Sequence, residues 1–150
     1  MEEIESKLPE LKPIGVVKNA FNDPTTPERI AVCPSTISIF PQFLEGLSGL
    51  KEGNILLIVF VFHKSQGYRL KVHPRGDLRN PKRGVFLTCS PYRPNPIGIS
   101  TAKVIEVREK EFDVIGLDAL NGSPVIDIKP ALPIIKFFRE MVEDEENPSL

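Results

Sequence analysis

The chain has 150 residues, a mass of 16.8 kDa and a formal net charge of −1. This length suits one domain, and 41% hydrophobic with 26% charged residues argues against global disorder. The longest apolar run, Ile55–Phe62, has eight residues, whereas a membrane-spanning helix needs about 20. The acidic start of the chain, residues 1–5, lacks the apolar core of a signal peptide. We therefore expect a cytoplasmic protein that does not bind membranes.

The cysteines and histidines are too few and too scattered to form a metal centre. Cys33 and Cys89 lie far apart and form no CxxC pair. His63 and His73 have no nearby cysteine or carboxylate cluster. We expect no disulfide framework and no metal ion. The chain also lacks a Walker loop, a GxGxxG string and a serine-hydrolase elbow, which excludes the commonest nucleotidase, Rossmann and hydrolase classes.

The positive charge is concentrated in one segment. Residues 64–93 contain eight basic residues and one acid, a balance of +7, whereas the other 120 residues hold 11 basic and 19 acidic groups, a balance of −8. One strongly positive face would attract a polyanion through phosphate contacts and counterion release. The alternative interpretation, that these side chains only keep loops solvated, is equally compatible with composition alone.

Many short stretches of β-branched and aromatic residues, separated by proline and glycine, predict a protein made mainly of strands. The predicted strands are residues 11–17, 30–32, 36–40, 55–63, 84–88, 97–107, 111–117 and 125–128. Residues 19–29, 65–83 and 118–124 are predicted loops, and residues 90–96 a stiff connector. Residues 41–47 predict one or two helical turns, and residues 133–142 a closing helix whose Phe137 and Phe138 we expect in the core.

The fold class that this pattern predicts is a small, mainly β, barrel-like single domain with one or two short helices, and not a Rossmann fold. The domain should span residues 11–142. It should follow a flexible acidic lead, residues 1–10, and precede an acidic tail, residues 143–150.

The most informative string in the chain is Ser-Pro-Tyr-Arg-Pro-Asn-Pro-Ile-Gly, residues 90–98. Three prolines in six positions restrict the backbone, so Tyr92, Arg93 and Asn95 extend from a rigid segment. Rigid presentation lowers the ordering cost of binding a ligand, so we favour a binding function. The structural alternative is a corner in which Arg93 bonds carbonyl groups and Tyr92 packs.

A second polar string, residues 117–130, follows a predicted strand. Asp118 and Asp127 flank apolar segments, where the mouth of a barrel would lie, and could accept hydrogen bonds from a ribose or an amino group. The structural alternatives are a plain turn at Asn121-Gly122 and a same-face pair of Asp127 and Lys129 on a strand. We weigh these alternatives equally with a functional role.

The order of four strings resembles the TsaA-like family, also called TrmO or YaeB. The strings are Phe62-His63-Lys64, Arg83-Gly84-Val85-Phe86, the Ser90–Gly98 motif and residues 118–130. The resemblance runs from about residue 11 to residue 132, and the Ser-Pro-x-Arg-Pro-Asn-Pro-Ile-Gly string is highly specific. Members are S-adenosylmethionine-dependent tRNA methyltransferases that act on N6 of threonylcarbamoyl-adenosine at position 37, beside the anticodon. The resemblance implies a small β-barrel and a homodimer.

The resemblance also implies a set of site residues. For S-adenosyl-L-methionine they are Pro27, Glu28, Arg29, His63, Lys64, Arg83, Asp118, Ala119, Leu120 and Asn121. Bacterial members usually read Pro-Arg-Gln at the first of these segments, so backbone contacts are the safer expectation for Pro27–Arg29. We expect the protein to lack the extra C-terminal domain of some bacterial members.

We assign further residues to tRNA and to catalysis. The predicted tRNA contacts are Arg75, Tyr92, Arg93, Asn95 and Lys129. Tyr92 would stack on the flipped base, and the basic segment would hold phosphates. The adenine N6 amine is a poor nucleophile, so an acceptor bonded to N6–H would assist methyl transfer. The candidates are Asn95, a carbonyl of Pro94 or Pro96, and Asp118, and of these we assign Asn95 and Asp118 as catalytic residues.

Two other classes of protein remain open at this point. A nucleic-acid-binding barrel without catalysis would explain the basic segment and Tyr92, and it predicts no affinity for S-adenosylmethionine. A small-molecule enzyme using the same barrel mouth predicts activity that survives removal of the basic charge and does not depend on salt.

Overall fold

The computed structural model describes residues 8–142, so the predicted acidic tail and most of the predicted lead lie outside the described residues. Six strands close into a barrel in the order β1, β2, β7, β6, β3, β8, and β4 pairs with β5 in a separate two-stranded sheet. The strands are β1 Gly15–Lys18, β2 Ser35–Ile39, β3 Ile55–Val61, β4 Lys71–Val72, β5 Arg83–Gly84, β6 Ile97–Val107, β7 Glu111–Ile115 and β8 Pro124–Pro130. The helices are α1 Pro27–Ala31 and α2 Ala131–Val142, with 3-10 turns at Pro41–Leu47, Pro74–Gly76 and Val85–Leu87. The predicted β-barrel class is confirmed.

The barrel core is built from alternating side chains of all six strands. In β3 every second residue is buried, and Ile58 and Phe60 are almost fully inaccessible to solvent. Phe112 of β7 and Val125 of β8 meet them in the same cluster. The period-two pattern of each strand therefore selects one face for the interior, as expected for a closed β sheet.

Every pair of neighbouring strands in the barrel is antiparallel. The connections therefore alternate between the two ends of the barrel. The β1–β2, β3–β6 and β7–β8 connections leave from one end, which we call the mouth. The β2–β3 and β6–β7 connections and the exit into α2 lie at the opposite end. This topology brings three loops that are far apart in sequence to the same place.

Several predicted elements differ from the structure. Residues 30–32, a predicted strand, lie in α1 and its C-cap, because Pro27 occupies the first helical position after the extended Thr26. Residues 85–87 form a 3-10 turn instead of a strand, and only Gly84 of that segment pairs. The predicted loop 65–83 contains β4 and a 3-10 turn. The other predicted strands match within a few residues, and β6 matches at both ends.

The expectation that Phe137 and Phe138 pack in the core is wrong. Both side chains of α2 are at least half exposed, and of the helix only Ala131 is buried. A helical spacing of apolar residues shows which residues share a face. It does not show whether another element of the chain covers that face.

An ion pair on the barrel wall links β2, β7 and the turn before β7. The Arg108 guanidinium donates to both carboxylate oxygens of Asp113, at 2.6 and 3.0 Å, and the Thr36 hydroxyl donates to the same carboxylate at 2.7 Å. The bonds from Arg108, followed by that from Thr36, hold the pKa of Asp113 below its usual value, and the Asp113 carboxylate in turn raises the pKa of Arg108.

This lowered pKa predicts a pH-dependent contribution to stability. Because the folded pKa of Asp113 lies below the unfolded one, the contribution is present above about pH 4 and is lost as the pH falls through the folded pKa. Asp113→Asn should lower the urea midpoint at pH 7, and the gap to the parent protein should narrow below pH 4. The matched control is Glu52→Gln, an exposed carboxylate. A gap that stays constant with pH would contradict the assignment.

Candidate active site at the barrel mouth

The clearest concavity at the mouth is a cleft between α1, the N-terminal half of β6 and the start of the β7–β8 loop. Its volume is about 290 Å³, near the lower end of the range of about 300–1,000 Å³ for small-molecule sites. Its lining consists of Pro27, Glu28, Ala31, Ile99, Ser100, Thr101, Gly116 and Asp118. Two carboxylates and two hydroxyl groups thus share a surface with apolar side chains.

Gly116 allows the three walls of the cleft to approach each other. Its φ of +100° is in the left-handed region, and an added Cβ would lie 2.9 Å from the Thr101 carbonyl oxygen. The Gly116 N–H donates to the carbonyl of Ala31 at 2.8 Å, which ties α1 to the end of β7. A residue with a side chain would strain the backbone and push β6 away from the cleft.

Asp118 is the best-fixed carboxylate of the cleft. Its neighbours Leu117 and Ala119 are fully buried and anchor the backbone on both sides. The Ser100 hydroxyl of β6 donates a hydrogen bond to the Oδ1 atom of Asp118. Because one oxygen is held by Ser100, the orientation of the carboxylate is set before any ligand arrives.

Asn19 joins two loops of the mouth. Its side-chain amide donates to the Ser35 hydroxyl at 3.0 Å and to the Ala119 carbonyl at 2.8 Å. Its backbone N–H donates to the Asn121 side chain at 3.1 Å. These bonds hold the β1–β2 loop against the β7–β8 loop, which makes the rim around Asp118 a rigid unit.

Of the predicted cofactor residues, His63, Lys64 and Asn121 come together on a second side of the mouth. The Asn121 amide donates to the Asn22 side chain at 2.8 Å, and the Lys64 ammonium donates to the Asn22 carbonyl. The His63 imidazole lies 3.4 Å from the Ser123 hydroxyl. Asn121-Gly122 is also a turn, with φ +84° at Gly122. The structure therefore places part of the predicted set beside the cleft rather than inside it.

The remaining predicted cofactor residues are spread around these two groups. Pro27, Glu28 and Asp118 line the cleft, whereas Arg29 is exposed on α1 and Arg83 is exposed on β5. Ala119 offers its carbonyl to Asn19 and is otherwise buried, and Leu120 is half-buried in the same loop.

The predicted tRNA residues also divide between locations. Arg75 pairs with Glu28, a residue of the cleft, at 3.1 Å, and Arg75 itself has a φ of +56°. Tyr92 and Asn95 are exposed on the connector before β6. Arg93 is half-buried and donates to the carbonyls of Thr88 and Ser90 at 2.9 and 3.1 Å, as in the structural alternative.

Lys129 does not belong to the mouth. It lies near the C-terminal end of β8, opposite Leu57, and pairs with Asp127 at 2.9 Å. This geometry matches the same-face pair that the sequence analysis gave as the structural alternative. Asp127, the second acidic residue singled out in residues 117–130, is therefore held in an ion pair on the barrel wall.

The polar residues of the mouth that the sequence analysis missed include Asn19, Ser35 and Ser100. Ser100 had a readable signal, because it lies in the predicted strand 97–107 and shares a face with Gly98 and Ala102. Asn19 and Ser35 gave none, since their partners are distant in sequence.

Among residues 8–142, no cluster of three or more His, Cys, Asp or Glu side chains is arranged to hold a metal ion. Within the same range, no helix has the length and apolar character needed to cross a membrane.

The fold and the cleft define a class: a small closed β-barrel domain whose mouth presents a fixed carboxylate in a partly apolar cleft. Residues 15–136 match the family model described as the tRNA-methyltransferase O N-terminal domain. The chain therefore belongs to the family of tRNA-methyltransferase O N-terminal domains, which confirms the resemblance seen in its motifs.

Individual relatives agree with this assignment. A probable S-adenosyl-L-methionine-binding protein of Methanocaldococcus jannaschii is 45% identical, over 79% of this chain and 89% of its own length. A tRNA (adenine(37)-N6)-methyltransferase of Rattus norvegicus is 37% identical, over 79% of this chain and 30% of its own length. The crystal structure of TrmO from Pseudomonas aeruginosa superposes with a TM-score of 0.66 at 28% identity, over 94% of this chain. The chain spans 62% of that TrmO chain.

Proposed function

We propose that this protein is an S-adenosylmethionine-dependent tRNA methyltransferase that acts on N6 of threonylcarbamoyl-adenosine at position 37. The observation that carries the proposal is the cleft, which unites Pro27 and Glu28 of α1 with Asp118 of the β7–β8 loop. Glu28 and Asp118 are 90 positions apart in sequence, yet the resemblance assigns both of them, with Pro27, to the cofactor. The names of the archaeal and rat relatives support the same ligand and the same acceptor atom.

The lining of the cleft fits S-adenosylmethionine chemically. The cofactor carries a positive sulfonium centre, and the carboxylate of Asp118 supplies the opposite charge, whereas the carboxylate of Glu28 is already paired with Arg75. The hydroxyl groups of Ser100 and Thr101 suit ribose and amino groups, and Pro27, Ala31 and Ile99 provide apolar contact for a flat base. When bound, the cofactor supplies an electrophilic methyl group.

Asp118 is the residue that we assign to the accepting amine. A carboxylate accepts hydrogen bonds but donates none when ionised, so it can orient N6–H and take the proton late in the transfer. Ser100 holds the other oxygen and keeps the carboxylate pointed consistently. Positioning of this kind supplies much of the rate in a bimolecular displacement.

The Ser90–Gly98 motif supports a second role at the same mouth. The Pro96 carbonyl accepts from the Phe62 N–H at 2.7 Å, and the Asn95 carbonyl accepts from the Ile97 N–H at 2.7 Å. These two backbone acceptors are engaged in fixing the loop. The exposed side chains of Asn95 and Tyr92 are the groups of this motif that remain free to contact a base.

Calorimetric titration with S-adenosylmethionine and with its demethylated product tests the cofactor site. We expect micromolar binding at one site per chain. Ala31→Phe should weaken it at least tenfold, because the ring would fill the cleft that Ala31 lines. The matched control is Val32→Phe, since Val32 is 71% exposed and does not line the cleft. An absence of binding with tRNA present would favour the non-catalytic nucleic-acid-binding barrel.

Two further features of the proposal have their own tests. The homodimer implied by the resemblance is measured by sedimentation velocity across protein concentrations. Methyl transfer to tRNA purified with and without threonylcarbamoyl-adenosine determines whether that modification is required. The small-molecule enzyme would act without tRNA and without salt dependence.

A further inference from the structure

Arg75 lies in a short turn that is closed by its own hydrogen bonds. The turn, residues 73–80, follows β4, and its two ends meet where the His73 imidazole nitrogen Nδ1 lies 2.8 Å from the Asn80 carbonyl oxygen. Inside the turn, the Gly76 N–H donates to the His73 carbonyl at 2.9 Å. The Arg75 side chain therefore extends from an ordered turn and not from a free loop.

The backbone of Arg75 adopts a conformation that L-amino acids rarely take. Its φ of +56° and ψ of +18° fall in the left-handed region, and no other residue between 8 and 142, glycines excepted, has a positive φ. Glycine or asparagine would occupy this conformation with less strain than arginine does. Strained residues of this kind cluster at ligand sites, so the position points to a role for the guanidinium.

The guanidinium of Arg75 compensates one of the two carboxylates of the cleft. Its Nη2 atom lies 3.1 Å from Oε1 of Glu28, and both side chains are more than half exposed. Glu28 is in the first turn of α1 and lines the cleft. The other carboxylate, Asp118, bonds the uncharged Ser100 hydroxyl instead. Among the described residues, the cleft therefore presents one compensated and one uncompensated carboxylate to a ligand.

We propose that Arg75 masks Glu28 and thereby limits the preference of the cleft for S-adenosylmethionine over its demethylated product. The two ligands differ by one methyl group and by one positive charge, because loss of the methyl group turns the sulfonium into a neutral thioether. The ratio of their affinities therefore reports on the charge of the cleft. The inference rests on the proposed function, from which it takes the cofactor, and it adds a residue that determines ligand specificity.

The mask acts on one ligand only, because the two ligands differ in charge. A free Glu28 carboxylate attracts the sulfonium but not the neutral thioether. While the Arg75 guanidinium lies beside it, the two opposite charges largely cancel for a third group in the cleft. Removal of Arg75 should therefore strengthen the binding of the cofactor and leave that of the product almost unchanged. Since both side chains are exposed, solvent limits the effect to a small factor.

The mask also couples the cofactor to any anion that competes for Arg75. A phosphate group that pairs with Arg75 withdraws the guanidinium from Glu28 and restores the charge of the carboxylate. Arg75 is one of the predicted tRNA contacts, so the RNA backbone would supply such phosphates. Linkage makes the coupling reciprocal. The cleft would then hold S-adenosylmethionine most tightly when the acceptor RNA is present.

Calorimetric titration of the full chain with each ligand measures the ratio of cofactor to product affinity. Arg75→Asn removes the charge and suits the left-handed backbone, and it should raise the ratio about threefold, the size usual for an exposed ion pair. Arg75→Lys should keep the parental ratio. Glu28→Gln leaves Arg75 unpaired beside the cleft and should lower the ratio. The double variant should return it close to the parental value, because both charges are gone. These differences should shrink in about 1 M salt, where the Debye length is about 3 Å.

Arg79→Asn is the matched control for Arg75→Asn. Arg79 lies in the same turn and is as exposed as Arg75, but its guanidinium pairs with Asp77 at 2.7 Å and not with a residue of the cleft. It changes the net charge by the same amount and should leave the ratio unchanged.

A short oligouridylate, which contains no adenine to methylate, tests the coupling. At saturation, followed by fluorescence anisotropy, it should raise the ratio for the parent protein and not for Arg75→Asn. An unchanged ratio in the parent protein would show that the coupling is wrong.

The inference and the proposed function fail in different ways. If the cofactor binds but Arg75→Asn leaves the ratio at the parental value, the mask is wrong and the proposed function stands. If Arg75→Asn shifts both ligands by the same factor, the ion pair only holds the turn against α1, and the inference is again overturned. If neither the parent protein nor Arg75→Asn binds either ligand, the proposed function is wrong and the inference falls with it.

Discussion

Asp118→Asn is expected to lower the turnover of methyl transfer by at least about 100-fold, the usual contribution of a positioned proton acceptor. The amide keeps the size of the side chain and an oxygen for the Ser100 hydroxyl. It loses the negative charge, and its nitrogen donates where the carboxylate accepts. The measurement is transfer of a labelled methyl group to tRNA at saturating cofactor, with cofactor affinity determined in parallel.

The control for this variant is Glu109→Gln, which removes an acidic charge from the β6–β7 connection at the opposite end of the barrel. It should keep full turnover. Ser100→Ala should lower turnover by a smaller factor with little change in the Michaelis constant, and Ser100→Thr should restore part of it, because the hydroxyl returns. Unchanged turnover in Asp118→Asn would remove Asp118 from the chemistry and leave Asn95 as the candidate.

Gly98→Ala is expected to destabilise the fold by about 1–3 kcal/mol, the usual cost of overpacking a filled core. A Cβ at this position would lie 2.5 Å from Cζ of Phe60 and 2.8 Å from Cζ of Phe62. These two rings pack edge to face, with centroids 5.3 Å apart, so neither can move without disturbing the other. Urea unfolding at neutral pH measures the change.

Gly46→Ala is the matched control for Gly98→Ala. Gly46 lies in the 3-10 turn of residues 41–47, and an added Cβ there would meet nothing within 4 Å. This substitution should be neutral or slightly stabilising, since it restricts the unfolded chain. If both alanine variants unfold at the same urea concentration, the packing explanation of the motif glycine is wrong.

The strands were predictable because their signals are local. The β3 and β6 segments are long, rich in β-branched residues and bounded by turns, so their existence follows from period and composition. Gly98 was recognisable in the sequence as part of a specific motif. Its packing against Phe60 and Phe62 was not predictable from the sequence. That contact depends on the register of β3 against β6, which pairs Phe60 with Gly98.

The site was predictable only in part. Asp118 was singled out both by its place after a predicted strand and by the family resemblance. Glu28 was assigned by its position in a segment that departs from the usual Pro-Arg-Gln, and the structure places both residues in one cleft. The polar links that hold the rim, such as Asn19 to Ser35 and Ala119, join residues 16 and 100 positions apart. No local pattern contains that information, because it arises only when the barrel closes. The prediction that Phe137 is buried failed for the opposite reason. Its local pattern was clear, but no element within residues 8–142 covers its side chain.

The closed ring of six strands has a consequence for aggregation. Every barrel strand is paired on both sides over at least part of its length, so within the described residues no barrel strand offers a wholly unpaired edge onto which another chain could add a strand. Among the described residues, free edges remain on the ladder of β4 and β5, and its strands are two residues long. A ladder this short, carrying lysine and arginine, is a poor template for cross-β growth. The native protein should therefore resist fibril formation at concentrations and temperatures at which an open sheet of similar size would assemble.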